Sequence, residues 1–194
     1  MSSASKNPSG PSRRGRKPLP RPGAVVVSRR RIARRIPVLA REIARCYGGE
    51  LTVVAVMTGS LVFLADLVRR LDLPMRLCLV TVRSYCGTVT APSTAAIGRL
   101  DADLAGRHVL VVDDVLDRGG TLRALLGRIR RHEPASLRSC VLLRKRRPDG
   151  NGRIEPDFVG FNIPDRFVVG YGLDYDNLYR NLPDVHELQL EGRG

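Results

Sequence analysis

The stretch VLVVDDVLDRGGTL, residues 109–122, is where the fold can be read. Four apolar residues run straight into Asp113 and Asp114, Asp117 follows one turn later, and Gly119, Gly120 and Thr121 open a segment of helical periodicity. A continuous apolar run suits a strand covered on both faces, and a strand passing through a tight turn into a helix is the unit of a parallel α/β sheet. The two glycines can point successive backbone N–H groups inward, Thr121 adds a hydroxyl, and the helix N-terminus adds partial positive charge. Such a turn holds a phosphate. Carboxylates just upstream are acceptors for sugar hydroxyls and for magnesium. The stretch therefore fits a ligand with a phosphate and a polyhydroxylated, metal-bound portion, as in a ribose phosphate. One acid before Gly-Thr would read only as a strand end and a helix cap; a doublet with a third acid in register favours the ligand. The G-x-x-x-x-G-K-[ST] loop of ordinary P-loop NTPases is absent.

The same alternation extends outward. IPVLAREIARCY places Ile36, Leu39, Ala40, Ile43 and Ala44 on one helical stripe, which starts the structured part at about Ile36. LTVVAVM (51–57) reads as a strand, Ser60 as a cap, and Leu61, Leu64, Val68 and Leu71 as one helix face. MRLCLVTVR (75–83), HVLVV (108–112) and SLRSCVLL (136–143) are further strands, and Leu122, Leu125, Leu126 and Ile129 mark the helix after the acidic turn. Residues 84–106 lack periodicity and read as a functional loop with room for a short hairpin. The expected class is α/β, a parallel twisted sheet flanked by helices. Ligands in such sheets sit beyond the carboxyl ends of the strands, where residues 113–121 fall.

With 194 residues the chain suits one domain. Its formal charge of +14 is uneven: residues 1–23 hold six basic residues and no acid, and Glu42 is the first acid. We read 1–23, rich in Ser, Pro, Gly and Arg, as a disordered basic tail and 24–194 as the domain. The positive balance suits anionic partners, from phosphorylated metabolites to nucleic acid, or only a solvated surface. No apolar run reaches a membrane span and no secretory h-region is present. Cys46, Cys78, Cys86 and Cys140 form no CxxC pair and, with the three histidines, no zinc spacing; free, mostly buried thiols in a cytoplasmic protein are expected.

On these residues the chain resembles the type I phosphoribosyltransferases. VLVVDDVLDRGGTL is similar to their phosphoribosyl-pyrophosphate motif, and an acid at Asp117 resembles the 6-oxopurine branch, hypoxanthine-guanine phosphoribosyltransferase. VVAVMTGSLVFLADL, RSYCG, LLRK and PDFVGFNIPDRFVVGYGLDYDNLYRNLP match in the same order across most of residues 36–185. The resemblance implies that fold with a small hood region. It also implies transfer of hypoxanthine or guanine to 5-phosphoribosyl 1-pyrophosphate, giving IMP or GMP plus pyrophosphate, with Mg²⁺ as cofactor. By the same likeness Asp113 and Asp114 hold the ribose hydroxyls and the magnesium shell, and Asp117 to Thr121, with Arg118, Gly119 and Gly120, cradle the 5′-phosphate. Asp117 is the general acid/base beside purine N7, by geometry more than by an unusual pKa. Lys145 donates to the exocyclic oxygen of the base, Phe167 stacks on it, and Val168 meets its pairing edge. Asp174 ligates Mg²⁺, Arg180 contacts pyrophosphate, and Ser84 and Tyr85 start a mobile loop that closes over the site.

Each residue also has a plainer reading: Asp117 as an N-cap, Lys145 as part of a solvated charge run with Arg144, Arg146 and Arg147, FVVG as a core strand, Asp174 as a turn residue, Arg180 as surface, Tyr85 as packing. Two positions depart from the family. Its pyrophosphate loop, often Leu-Lys-Gly or Leu-Arg-Gly, is Met57-Thr58-Gly59 here, and its small hydroxyl residue after the base is Arg118, which either restores the lost charge or points to solvent. Relatives imply a homodimer or homotetramer; the lack of an apolar span leads us to expect no membrane partner, and nucleic acid is the less favoured partner. The competing expectation is a non-catalytic regulator of the same fold that binds RNA. Such regulators usually carry an aromatic residue in place of Asp117 and lack the DFVGFNIPDRFVVGYGLDY segment, so the enzyme reading is favoured.

Overall fold

The computed structural model describes residues 19–84, 95–147 and 154–189. The larger sheet is built on the apolar runs: β2 (Leu51–Met57), β3 (Met75–Ser84), β5 (His108–Leu116), β6 (Ser136–Arg146) and β7 (Phe158–Pro164), with β4 (Ala95–Ile97) between β3 and β5 in sequence. Its order is β4-β3-β2-β5-β6-β7, and all pairs are parallel except β3–β4. The parallel strands are linked through helices or longer stretches of chain, residues 85–107 between β3 and β5 and 147–157 between β6 and β7, as parallel pairing requires. The expected α/β class is present; within the span 84–106 expected as a loop, Ala95–Ile97 form β4, whose antiparallel partner is the end of β3, Val82 to Ser84.

Helix α3 (Gly120–Arg130) covers one face with Leu122, Leu125, Leu126 and Ile129, packed on Val54, Val109, Val111 and Val141. On the other face, α1 (Arg29–Ala44) and α2 (Leu61–Val68) bury Ile36, Leu39, Ile43, Phe63 and Leu67 against Val53, Ala55, Leu110 and Val112. Alternate residues of one strand thus enter two separate cores, which is why β2 and β5 read as unbroken apolar runs. Full burial of each such Leu, Ile or Phe contributes about 1.5–3 kcal/mol.

Several boundaries differ from the sequence reading. Helix α1 starts at Arg29, not near Ile36, because Ser28 caps it through its side chain on the Arg31 N–H, and Ile32 continues the buried stripe. Strand β1 (Arg21–Val27) pairs antiparallel with β9 (Val185–Gln189), so the tail boundary at residue 23 falls inside a strand. That pairing joins residues 158 to 168 positions apart and leaves no local signal. Ser60 does not cap α2 with its side chain; its hydroxyl donates to the Val56 carbonyl at 2.5 Å, and Leu71 lies beyond the helix end. Strands β5 and β6 run on to Leu116 and Arg146, so Asp113, Asp114 and Lys145 belong to strands. A second sheet, in the order β1-β9-β8 with β8 (Val168–Val169), matches the expected hood. Cys78 and Cys140 are buried free thiols and Cys46 is an exposed one; Cys86 lies outside the described residues.

Candidate active site

The acidic turn forms as its residues require. β5 ends after Leu116, Gly119 takes a left-handed φ of 74° at the N-cap of α3, and Gly120 is the first helical residue. A residue with a Cβ is disfavoured at that φ, so Gly119 is what lets the strand turn into the helix. Thr58 and Gly59 follow the end of β2 through a cis Met57–Thr58 peptide. Asp174 and Arg180 come from the segment after β8. All meet at the carboxyl end of the sheet, around a cavity of about 470 Å³ lined by Thr58, Gly59, Asp113, Asp114, Asp117, Thr121, Asp174 and Arg180.

Within it, the Asp114 N–H donates to Asp113 Oδ1 at 2.9 Å and the Val115 N–H to Asp114 Oδ1 at 2.8 Å. Burial pushes the Asp113 carboxyl well above the ordinary carboxylate range, and the charge of Asp114 adds to the shift. Burial also raises Asp114, opposed by hydrogen bonds from Asp113 and the backbone and by the charge of Arg180. Two acids kept this close, with Asp113 buried and Asp114 half-buried, are a store of unfavourable energy that a cationic or hydroxyl-rich ligand relieves. Asp174 Oδ2 accepts from the Asn177 N–H at 2.8 Å and Oδ1 pairs with Arg180 at 2.8 Å, while Arg180 also donates to the Gly172 carbonyl.

Lys145, Phe167, Val168 and Arg118 are not among the residues that line this cavity. Lys145 is buried, and its ammonium reaches Asp117 Oδ2 at 2.7 Å. It is therefore not part of a solvated charge run. Phe167 is exposed, with its ring edge-on to Tyr175 at 5.9 Å between centroids. Val168 is buried in β8, paired with Glu187, so the strand reading of FVVG also holds. Arg118 is exposed, as its solvent-facing alternative had it. Ser84 is the last residue of β3, and Tyr85 lies outside the described residues. Sequence reasoning missed Arg147 and Asp165: Arg147 donates to Asp117 Oδ1 at 3.0 Å and to Asp165 Oδ2 at 2.7 Å. Their only local signal was a place in LLRKRRP and IPDRF.

The fold, with an acidic cavity at the carboxyl ends of its parallel strands, is that of a transferase class found among known proteins. The phosphoribosyl transferase domain model matches residues 27–176. The hypoxanthine-guanine phosphoribosyltransferase of Mycobacterium avium is 41% identical over 174 residues, 85% of each chain, and the hypoxanthine phosphoribosyltransferase of Haemophilus influenzae is 38% identical over 86% of this chain and 96% of its own. Among solved structures, a hypoxanthine-guanine phosphoribosyltransferase of Bacillus anthracis aligns at a TM-score of 0.80 with 33% identity, covering 86% of this chain and 99% of that one. The Trypanosoma cruzi hypoxanthine phosphoribosyltransferase complexed with its product IMP aligns at 0.78 with 34% identity, covering 87% and 92%. The chain belongs to the phosphoribosyltransferase family and, within it, to the hypoxanthine-guanine branch. These relatives are named as transferases, which gives the RNA-binding regulator reading no support.

Proposed function

We propose that the chain joins hypoxanthine or guanine to 5-phosphoribosyl 1-pyrophosphate, releasing pyrophosphate and giving IMP or GMP. The observation that carries this is the meeting of Asp113, Asp114 and Asp117 with Thr121, the residue that follows the two glycines of the turn, on one cavity. Asp113 and Asp114 accept from the ribose hydroxyls, and the backbone from Asp117 to Thr121 with the Arg118 amide holds the 5′-phosphate. Thr58, Gly59 and Arg180 face the pyrophosphate. Thr58 brings a hydroxyl where relatives carry a cation, which leaves Arg180 as the guanidinium at that end.

As purine N9 bonds to C1′ of the ribose, the C1′–oxygen bond to pyrophosphate breaks, and the proton from N7 passes to Asp117. Lys145 then has to leave Asp117 to donate to the exocyclic oxygen of the base, with Phe167 stacking on the ring and Val168 at its edge. Closure of the segment that Ser84 and Tyr85 begin excludes water from an electron-poor sugar carbon. Asp113, Asp114 and Asp174 offer carboxylate oxygens only, and among the described residues no cluster of three or more ligating side chains forms a cage. That set fits Mg²⁺, which takes one or two carboxylates and completes its shell with waters and substrate phosphates. When bound, Mg²⁺ neutralises the leaving pyrophosphate.

Free buried thiols suit a cytoplasmic enzyme. We further propose that it works as a homodimer or homotetramer, a state that the sheet face at β3 supports. Purified protein with Mg²⁺, the activated sugar and radiolabelled hypoxanthine or guanine should form labelled nucleotide, and Asp117→Asn should lower kcat by about 10²–10⁴. No nucleotide from either base would end this reading.

A further inference from the structure

Lys145, Arg147, Asp117 and Asp165 form a quartet at the joint end of β5, β6 and β7. The Lys145 ammonium lies 2.7 Å from Asp117 Oδ2 and 3.8 Å from Asp165 Oδ1. Arg147 Nη1 lies 3.0 Å from Asp117 Oδ1 and 2.7 Å from Asp165 Oδ2. Each carboxylate is shared by both cations, and the four charges sum to zero. The cations are the inner members, with side chains 10% and 16% exposed. Register builds the arrangement: Lys145 pairs with Ile163 and Arg146 with Pro164, so Arg147 and Asp165 leave their strands side by side.

This geometry bears on the reaction proposed above and rests on that reading. Lys145 has to give up Asp117 when it turns to the base. A carboxylate held by Lys145 alone would then be free to rotate, and Lys145 would be drawn to Asp165 instead of the base. Arg147 meets both difficulties, because it keeps Asp117 Oδ1 and neutralises Asp165. We propose that Arg147, anchored by Asp165, is a positioning residue: it fixes the Asp117 carboxylate for the purine and releases Lys145 to bind the base.

The test is a kinetic comparison of Arg147→Ala, Arg147→Lys, Asp117→Asn and the double variant Asp117→Asn/Arg147→Ala, with thermal melts confirming that each is folded. Arg147→Ala should lower kcat about 10–10²-fold, the scale of a small misplacement of a reacting group. It should raise KM for the purine and leave KM for phosphoribosyl pyrophosphate unchanged. Arg147→Lys should recover a large part of kcat, since one nitrogen makes both contacts. In the Asp117→Asn background the further loss should stay within about twofold, because two residues acting through one contact are not additive. Arg147→Ala with wild-type kcat, or with an equal loss in the Asp117→Asn background, would overturn the inference while Asp117→Asn is impaired. Full activity of Asp117→Asn would overturn the acid/base reading and this inference with it.

Discussion

At Gly59 the pyrophosphate loop and the acidic doublet come so close that a Cβ there would lie 1.7 Å from Asp114 Oδ2. Resemblance marked Gly59 as a ligand contact; the packing supplies a second reason, since any side chain would displace the Asp114 carboxylate. Its carbonyl is equally crowded, 2.4 Å from where a Cβ on Gly172 would stand, and Gly172 has a φ of +99°. The loop, the doublet and the Asp174–Arg180 segment are thus locked in contact by two residues that have no side chain. Gly59→Ala should leave a folded protein but shift Asp114, with a loss of about 10²-fold in kcat/KM. Steady-state kinetics beside a thermal melt checks it; near-normal kcat/KM would show that the doublet tolerates the displacement.

Helix α1 is held to the sheet by more than its apolar stripe. β7 is an edge of the larger sheet, where unpaired backbone groups need a partner. Arg35 supplies one, donating from Nε to the Gly160 carbonyl at 3.1 Å and from Nη2 to the Val159 carbonyl at 2.9 Å. Glu42, about two turns along the helix, pairs with Nη1 at 2.7 Å and so aims the guanidinium at the strand. Arg35→Ala should therefore cost about 2 kcal/mol, the scale of lost charge-assisted hydrogen bonds, in a denaturant titration. The hydrogen bond from Arg35 holds the Glu42 carboxyl below its usual 4.5. A lowered acid contributes stability above that value and loses it as pH falls through the folded-state pKa, so the variant should show a shallower loss in acid.

At the scale of the whole molecule, one face of the larger sheet is not fully covered. Leu77 and Leu79 of β3 pair with Val53 and Ala55 of β2, and so point to the side that α1 and α2 protect. The helices stop short of them, leaving these leucines 53% and 54% exposed, with Leu61 of α2 also exposed. A second copy of the chain is the occupant we propose. Sedimentation of the full chain should show a dimer or tetramer, and Leu79→Glu should shift it toward monomer; a wild-type monomer at micromolar concentration would refute it. Among the described residues, α1 and α3 present most of their arginines to solvent.

The strand–turn–helix around residues 109–122, the three acids on it and the α/β alternation were legible because each follows from neighbours in the chain: apolar periodicity, a glycine at a left-handed φ, carboxylates ahead of a helix N-terminus. Thr58, Gly59, Lys145, Phe167, Asp174 and Arg180 were reachable only through resemblance, since nothing local distinguishes Lys145 from the arginines beside it. Tertiary structure alone decided that β1 closes the hood against β9, that Ser60 bonds back to β2, and that Asp117 is shared between Lys145 and Arg147. Those contacts join residues far apart, 28 and 30 positions in the case of Asp117. Strand register and the energy of burying charge bring them together, and neither is written in any short window of the chain.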